Sequence, residues 1–349
     1  MELDLLTESV VPEHARGVKA EAREFADEHI APNAERYFDS GEYPWEILEA
    51  GMDAGLVAAD IPFGAEITTE YGSERQKEEY LEPVGRNEQI TGLAVSEPET
   101  GSDLAGMSTS AEKDGDEWVL DGEKYWIGNG VEADWVTVYA RTDDDEDNRY
   151  GNYSLFIVPT DADGYEAEHT PEKMGMCASK QAHVIFDGCR IPEENLIGSE
   201  GAGFYMLADF FNHGRVVVGG HGLGIAAAAI EEAWEFVHGR NAFGRQVNEF
   251  QAVQHSLADM RLTFEQARSL NWRAAEHVAE NDRAGLWASM AKVASTEAAV
   301  ECSQSGMQLH GGRSIFTDRR IARTYRDARI PVIYEGANEI QRNLIYSQS

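Results

Sequence analysis

The pattern of apolar and polar positions divides the chain into three stretches. Residues 1–90 read as helices: 18–30 place Ala, Phe and Ile at helical spacing, 45–54 do likewise, and 74–80 form a shorter charged piece. The Pro- and Gly-containing segment AADIPFGAEITTEYGSERQ between the last two reads as a loop. From Thr91 to Gly188, short runs rich in β-branched and aromatic residues alternate with turn residues and predict strands. Residues 118–120 and 124–127 flank Asp121-Gly122, a hairpin signal. Residues 136–140, 154–158 and 183–186 add strands, interrupted by the acidic loop 142–152, for a compact antiparallel β-domain. Beyond Gly203 the period becomes helical again over 204–237, 254–279, 286–307 and 338–346. The second of these carries the stripe Leu257, Met260, Phe264, Ala267, Leu270, Ala274 and Val278. Long amphipathic helices in succession predict an antiparallel four-helix bundle. The expected fold class is α+β: an N-terminal helical domain over 1–90, a β-domain over 91–200 and a C-terminal four-helix bundle over 201–349.

Charge adds a second constraint. Acidic residues outnumber basic ones 63 to 29, for a net charge of −34 spread along the chain. This excess argues against nucleic acid or an anionic membrane as partner. Such a chain repels itself at low ionic strength, which points to a halophilic protein working in a salt-rich cytoplasm. Cys177, Cys189 and Cys302 lie far apart without a Cys-x-x-Cys pair, so neither a disulfide framework nor a metal site is indicated. The acidic N-terminus lacks the basic start and apolar core of a signal peptide, and no apolar run is expected to span a membrane.

Candidate chemistry centres on one carboxylate. Glu335 follows Pro331, Val332, Ile333 and Tyr334 and precedes Gly336, so it leaves an apolar segment at a turn where backbone can approach a ligand. Burial there would disfavour the ionised form and bring the carboxyl toward the range useful for proton exchange near neutrality. Spacing alone fits a helix-capping Glu at least as well. Taken singly, Arg215 reads as a surface ion pair, Trp126 as a core aromatic, and Glu97-Pro98 with Gly101-Ser102 as an ordinary turn. Gly219, Gly220, Gly222 and Gly224 lack dinucleotide-fingerprint spacing and a preceding strand, so they read as helix packing.

The motifs together are more specific than any one of them. Arg-Asp-x-Arg at 326–329, Ile-Tyr-Glu-Gly at 333–336 and Glu-Ile-Gln at 339–341 closely resemble the C-terminal signature of the acyl-CoA dehydrogenase family. VSEPETGSD at 95–103 resembles its Ser/Thr-Glu-Pro-x-x-Gly-Ser-Asp loop, and Tyr125 to Asn129 resemble its Trp-Ile-Thr/Ser-Asn. Asn212-His213-Gly214-Arg215 falls where the family has Asp-x-x-Arg. Arg240 to Gly244 with Gln251, and then Gln308 to Gly312, resemble its Arg-x-x-Phe-Gly, Gln and Gln-x-x-Gly-Gly elements. All occur in family order from Glu97 to Gln341.

That resemblance implies FAD as cofactor and Glu335 as the base removing the α-proton of an acyl-CoA. It implies flavin contacts from Val95, Ser96, Ser102, Trp126, Ile127 and Gly128, and from Ala337, Asn338 and Glu339. Across a subunit interface it implies dinucleotide contacts from Arg240, Phe243 and Gln251, with Gln308, Leu309, His310, Gly311 and Gly312 also against the dinucleotide. Ser102, Asn212, Arg215 and Gly336 are the implied substrate contacts. Three departures stand out: Gly128 lacks the family's hydroxyl, Ala337 replaces Thr, and Asn212 replaces Asp, keeping an acceptor without its charge. Gly214 occupies the place where some members carry the catalytic Glu. The chain also runs from Ile61-Pro62 almost directly to Tyr71-Gly72, omitting roughly thirty residues, about two average helices.

The implied activity is α,β-dehydrogenation of an acyl-CoA to trans-2-enoyl-CoA in fatty acid metabolism, with hydride passing to FAD N5. Electron-transfer flavoprotein is the implied acceptor and a homotetramer the implied assembly. Two alternatives stay open: a flavin-dependent acyl-CoA oxidase, and a catalytically weak paralogue acting as a flavin-binding or assembly protein. The charge reading makes its own prediction. The melting temperature is expected to rise between millimolar and molar KCl, and an unchanged midpoint in calorimetry would remove the halophilic reading.

Overall fold

The computed structural model describes residues 13–56, 64–86 and 88–349. By their internal contacts these form two compact units. A helical unit holds residues up to Asp39, Lys173–Met176 and Phe211–Ser349; a sheet unit holds Ser40–Glu172 and Cys177–Phe210.

Short helices open the chain: α1 (Glu13–Phe25), continued by a π turn, α2 (Ala34–Ser40) and α3 (Trp45–Asp53). The segment expected to be a loop contains a helix, α4 (Ala65–Tyr71), whose Ala65, Ile67 and Thr68 are buried. Its two turns are too short for a periodic signal, and the flanking Gly64 and Gly72 disguise them. Residues 57–63, where the expected omission begins, lie outside the described residues. Ser73 and Gln76 then form a reciprocal capping box that starts α5 (Glu74–Gln76), followed by a π turn and α6 (Glu82–Gly85). Gln76 is buried, and its Nε2 donates to the Glu194 and Leu196 carbonyls at 2.7 and 2.9 Å.

The sheet has eight strands: β1 (Thr91–Ala94), β2 (Ser110–Asp114), β3 (Glu117–Gly128), β4 (Trp135–Arg141), β5 (Tyr153–Pro159), β6 (Tyr165–His169), β7 (Gln181–Pro192) and β8 (Leu196–Ile197). Their order is β6-β7-β3-β2-β4-β5-β8, with β1 beside β4. Most pairs are antiparallel, as expected, but β1 and β2 each pair with β4 in parallel. Trp118, Leu120, Val138, Phe156, Val184 and Phe186 belong to its core. The hairpin expected at Asp121-Gly122 is absent, because β3 passes straight through it. Gly122 serves a close approach instead: at φ +140°, a Cβ there would lie 2.7 Å from the Thr109 Cα. The chain reverses earlier, between Asp114 and Glu117.

Helix α7 (Gly203–Gly239) leads to the small ribbon of β9 (Asn241–Ala242) and β10 (Arg245–Gln246). After it come α8 (Gln251–Ala279), α9 (Ala284–His310), α10 (Arg320–Ala328) and α11 (Asn338–Gln348). Contrary to expectation, α7 is long and apolar enough to cross a membrane by length and composition. Part of that apolar surface is used inside the bundle, where Ala226, Ile230, Ala233 and Val237 join Met260, Phe264 and Ile321 in one core. Two of the four clustered glycines account for the close packing. A Cβ at Gly219 would strike Asn271, and one at Gly222 would come 2.8 Å from the Ser295 carbonyl oxygen.

Within the sheet unit the loop after β1 is fixed by a buried ion pair. Lys124 on β3 is fully buried, and its Nζ donates to Glu97 Oε1 and to the Val95 carbonyl, both at 2.9 Å. Glu97 also accepts from the Ser108 and Thr109 backbone N–H groups at 2.8 Å. Burial pushes Glu97 upward, but the Lys124 charge and those donors outweigh it and hold the carboxyl at about 2. Its stabilisation is therefore complete above the ordinary value of 4.5 and is lost as pH falls through about 2. Glu97→Gln leaves the ammonium buried without its counter-charge. It is expected to cost about 3–5 kcal/mol in denaturant unfolding and to abolish this acid dependence.

Candidate functional site

The predicted residues fall into groups on the two units. In the sheet unit, pairing between β3 and β7 slips between Tyr125 and Ile127. Trp126 takes up the slip at φ 62° and is 50% exposed, whereas Ile127 is 2% exposed. A bulge thus turns the indole outward and moves the buried set by one position, from Lys124 to Ile127. At Gly128 a Cβ would meet nothing within 4 Å, so the missing hydroxyl is not forced by crowding. Asn129 closes the strand, its amide donating to the Thr91 carbonyl at 3.2 Å. The 95–103 loop is tied alongside: Tyr125 N–H donates to the Ser96 carbonyl at 2.8 Å, Val95 is buried, and Ser102 is exposed.

In the helical unit, Glu335 sits between α10 and α11 at φ 54°, followed by Gly336 at φ 81°. Two successive left-handed residues swing the carboxylate out of the chain direction, a conformation that a glutamate keeps only where its surroundings impose it. The side chain is partly buried, and its Oε2 is shielded from solvent. Gly214 on α7 makes room for it, since a Cβ there would lie 3.1 Å from that oxygen. One residue on, Arg215 is buried. Burial lowers its pKa to about 10, opposed by the charge of Glu335. Its Nη1 donates to Asn212 Oδ1 at 3.3 Å, so the replaced Asp position still orients this arginine. Arg215 Nε is buried without a hydrogen-bond partner among the described residues.

A cavity of about 430 Å³ lies between α9 and the loop bearing Glu335, and Ala337 and Glu339 line it with Glu297, Glu301, Arg329 and Ile333. Asn338 also reaches it, but its side-chain amide is engaged inside the bundle, donating to Thr296 Oγ1 at 3.1 Å. A third group lies where α7 and α9 end. Phe236 stacks on His310 at 4.3 Å, and the guanidinium carbons of Arg240 and Arg313 each lie 5.8 Å from its ring. This brings the Arg-x-x-Phe-Gly and Gln-x-x-Gly-Gly elements together. Phe243 is 95% exposed at φ 53°, and Gln251, Gln308, Gly311 and Gly312 are exposed too. Leu309 instead packs against the bundle core.

Arg313 has no place in the predicted motifs; its only sequence signal is a basic residue directly after the Gly-Gly pair. Lys292, which hydrogen-bonds the carbonyl of Gly336, also went unpredicted. In the sheet unit, an outward aromatic beside open backbone fits a flat ring system; in the helical unit, paired guanidinium groups near exposed glycines fit a pyrophosphate.

Comparison with known proteins agrees with this chemistry. Family models for the N-terminal, middle and C-terminal domains of acyl-CoA dehydrogenase match residues 12–67, 92–189 and 201–349. The mouse mitochondrial short-chain specific acyl-CoA dehydrogenase is 35% identical over 371 positions, covering 96% of this chain and 90% of the relative. That pairing is longer than the 349-residue chain, so it places gaps in it. An acyl-CoA dehydrogenase structure from Geobacillus kaustophilus superposes with a TM-score of 0.91 at 30% identity, over 97% of this chain and 98% of that one. A Mycobacterium smegmatis glutaryl-CoA dehydrogenase in complex with FADH2 superposes with a TM-score of 0.89 at 25% identity, over 98% and 96%. Three domain matches in order, a glutamate held in a left-handed turn and a surface suited to a flavin dinucleotide have one common reading: the chain belongs to the acyl-CoA dehydrogenase family of FAD-dependent oxidoreductases.

Proposed function

We propose that the protein catalyses α,β-dehydrogenation of an acyl-CoA thioester to trans-2-enoyl-CoA, with Glu335 as the base that takes the α-proton. The observation that carries this reading is the placement of Glu335: a left-handed turn, partial burial, the clearance at Gly214 and the buried Arg215 beside it. A partly desolvated carboxylate is a stronger base than one in water, and a fixed turn removes the need to search for its angle of attack. Bound FAD supplies the acceptor for the hydride that leaves the β-carbon. Trp126, Gly128 and the 95–103 loop are the proposed flavin contacts. Arg240, Phe243, Gln251, Arg313 and the Gly311-Gly312 backbone serve the dinucleotide of a neighbouring subunit in a homotetramer. Electron-transfer flavoprotein is the proposed electron acceptor and the cytoplasm the proposed compartment. Short acyl chains are the first substrates to try, since the mouse relative is named for them.

The test is the visible spectrum of the protein purified in high salt, before and after anaerobic addition of acyl-CoAs of graded length. A yellow protein bleached by one of them supports the reading and ranks the substrates. A colourless protein that fails to take up added FAD overturns it in favour of a binding or assembly role, and rapid reoxidation by oxygen marks an oxidase. Glu335→Gln is expected to keep its yellow colour and lose roughly 10²–10⁴-fold in turnover, the span of general-base catalysis. Gly128→Thr adds a Cβ in open space, and the hydroxyl it brings is expected to tighten FAD binding by about 0.5–1.5 kcal/mol, read by flavin fluorescence.

A further inference from the structure

The face that α9 buries is made mostly of small residues such as Ala288, Ser289, Ala291 and Ser295, and it carries a single charged one. Lys292 lies on that face and is fully shielded from solvent. Its Nζ donates to the Gly336 carbonyl oxygen at 3.0 Å and to Asn338 Oδ1 at 2.8 Å. An ammonium is expensive to bury, and a methionine would fill the same space without that cost. Its ionic and donor character therefore has a use.

Two things converge on this amine. The first is backbone geometry: Glu335 and Gly336 are both left-handed, and a non-glycine residue stays there only when its surroundings impose it. Lys292 Nζ and Gln341 Nε2 both donate to the Gly336 carbonyl at 3.0 Å. Gln341 also reaches the Glu335 carbonyl at 3.3 Å and is itself anchored by the Ser289 hydroxyl at 2.9 Å. The second is charge. The groups that act on Lys292 are Glu335 from the loop, Arg215 from α7, Glu339 from α11 and Glu297 from α9 itself. Burial lowers the amine to about 8; the carboxylates, Glu335 foremost, oppose that shift and Arg215 adds to it.

We propose that Lys292 is a positioning residue for Glu335: it locks the turn from which the carboxylate projects, and its charge keeps that carboxylate ionised and ready to accept a proton. This rests on Glu335 being the base. Proton transfer itself stays between substrate and Glu335, and the lysine acts only through it.

Lys292→Gln retains a donor without the charge, Lys292→Met removes both, and Lys292→Arg keeps the charge. FAD content and melting temperature are measured first, then kcat/KM against pH, whose acidic limb reports the base of the free enzyme. Lys292→Gln and Lys292→Met are expected to bind FAD and to shift that limb upward, so that activity at acid pH, relative to the plateau, falls about ten-fold, the effect of one pKa unit. Lys292→Arg is expected to return the limb toward its native position. A Gln variant that is slower at every pH with an unmoved limb would overturn the proposal and leave the lysine a purely structural role. Should Met fail to fold, the Gln and Arg variants decide alone. Glu335→Gln separates the two readings: if it is inactive while the limb of Lys292→Gln stays put, only the lysine's role fails, and if it turns over normally, the base assignment and this proposal fail together.

Discussion

Two buried ammonium groups organise the functional loops. The chain has only seven lysines, and two of them, Lys124 in the sheet unit and Lys292 in the helical unit, are fully buried. Each donates to a backbone carbonyl of a loop that carries site residues: Val95 in one case, Gly336 in the other. A buried cation without partners is strongly destabilising, so neither core can close unless its loop supplies acceptors. Loop geometry is thereby made a condition of folding. Glu97 and Asn338 are the acceptors that meet it, the first inside the 95–103 motif and the second between the 333–336 and 339–341 motifs.

The charge balance sharpens the point. With 63 acidic residues against 29 basic ones, cations are scarce, yet several gather in two of the candidate groups of the helical unit. Arg215 and Lys292 flank Glu335, and Arg240 and Arg313 flank Phe236. An acyl-CoA and a flavin dinucleotide are both polyanions, so local positive potential is needed where the surface as a whole would repel them. Arginine supplies most of it, in keeping with its planar fork for phosphate.

Much of this was legible in the sequence because the motifs are contiguous. Glu335 could be named from Ile-Tyr-Glu-Gly, and the helices α7 to α9 from their period, since each runs for many turns. What escaped was non-local. Gly122 looks like a turn residue beside Asp121, but its glycine answers to Thr109 across the sheet. Helix α4 offers only two turns between glycines, and α10 is nearly as short. Lys292 in an alanine-rich helix reads like any solvated charge until the Gly336 carbonyl is set against it. Arg313 lies outside every motif and joins Arg240 only through the shared ring of Phe236.

The bulge at Trp126 also bears on how such a protein can diversify. Because the slip is confined between Tyr125 and Ile127, residues on either side keep their partners on β7, from Lys124 opposite Val184 to Gly128 opposite Gln181. Position 126, the one left out of the pairing at this slip, is thus uncoupled from the threading of the sheet. Substitutions there can drift or be selected without the core having to be rebuilt, so the electronic environment offered to a bound ring can evolve on a scaffold that stays still.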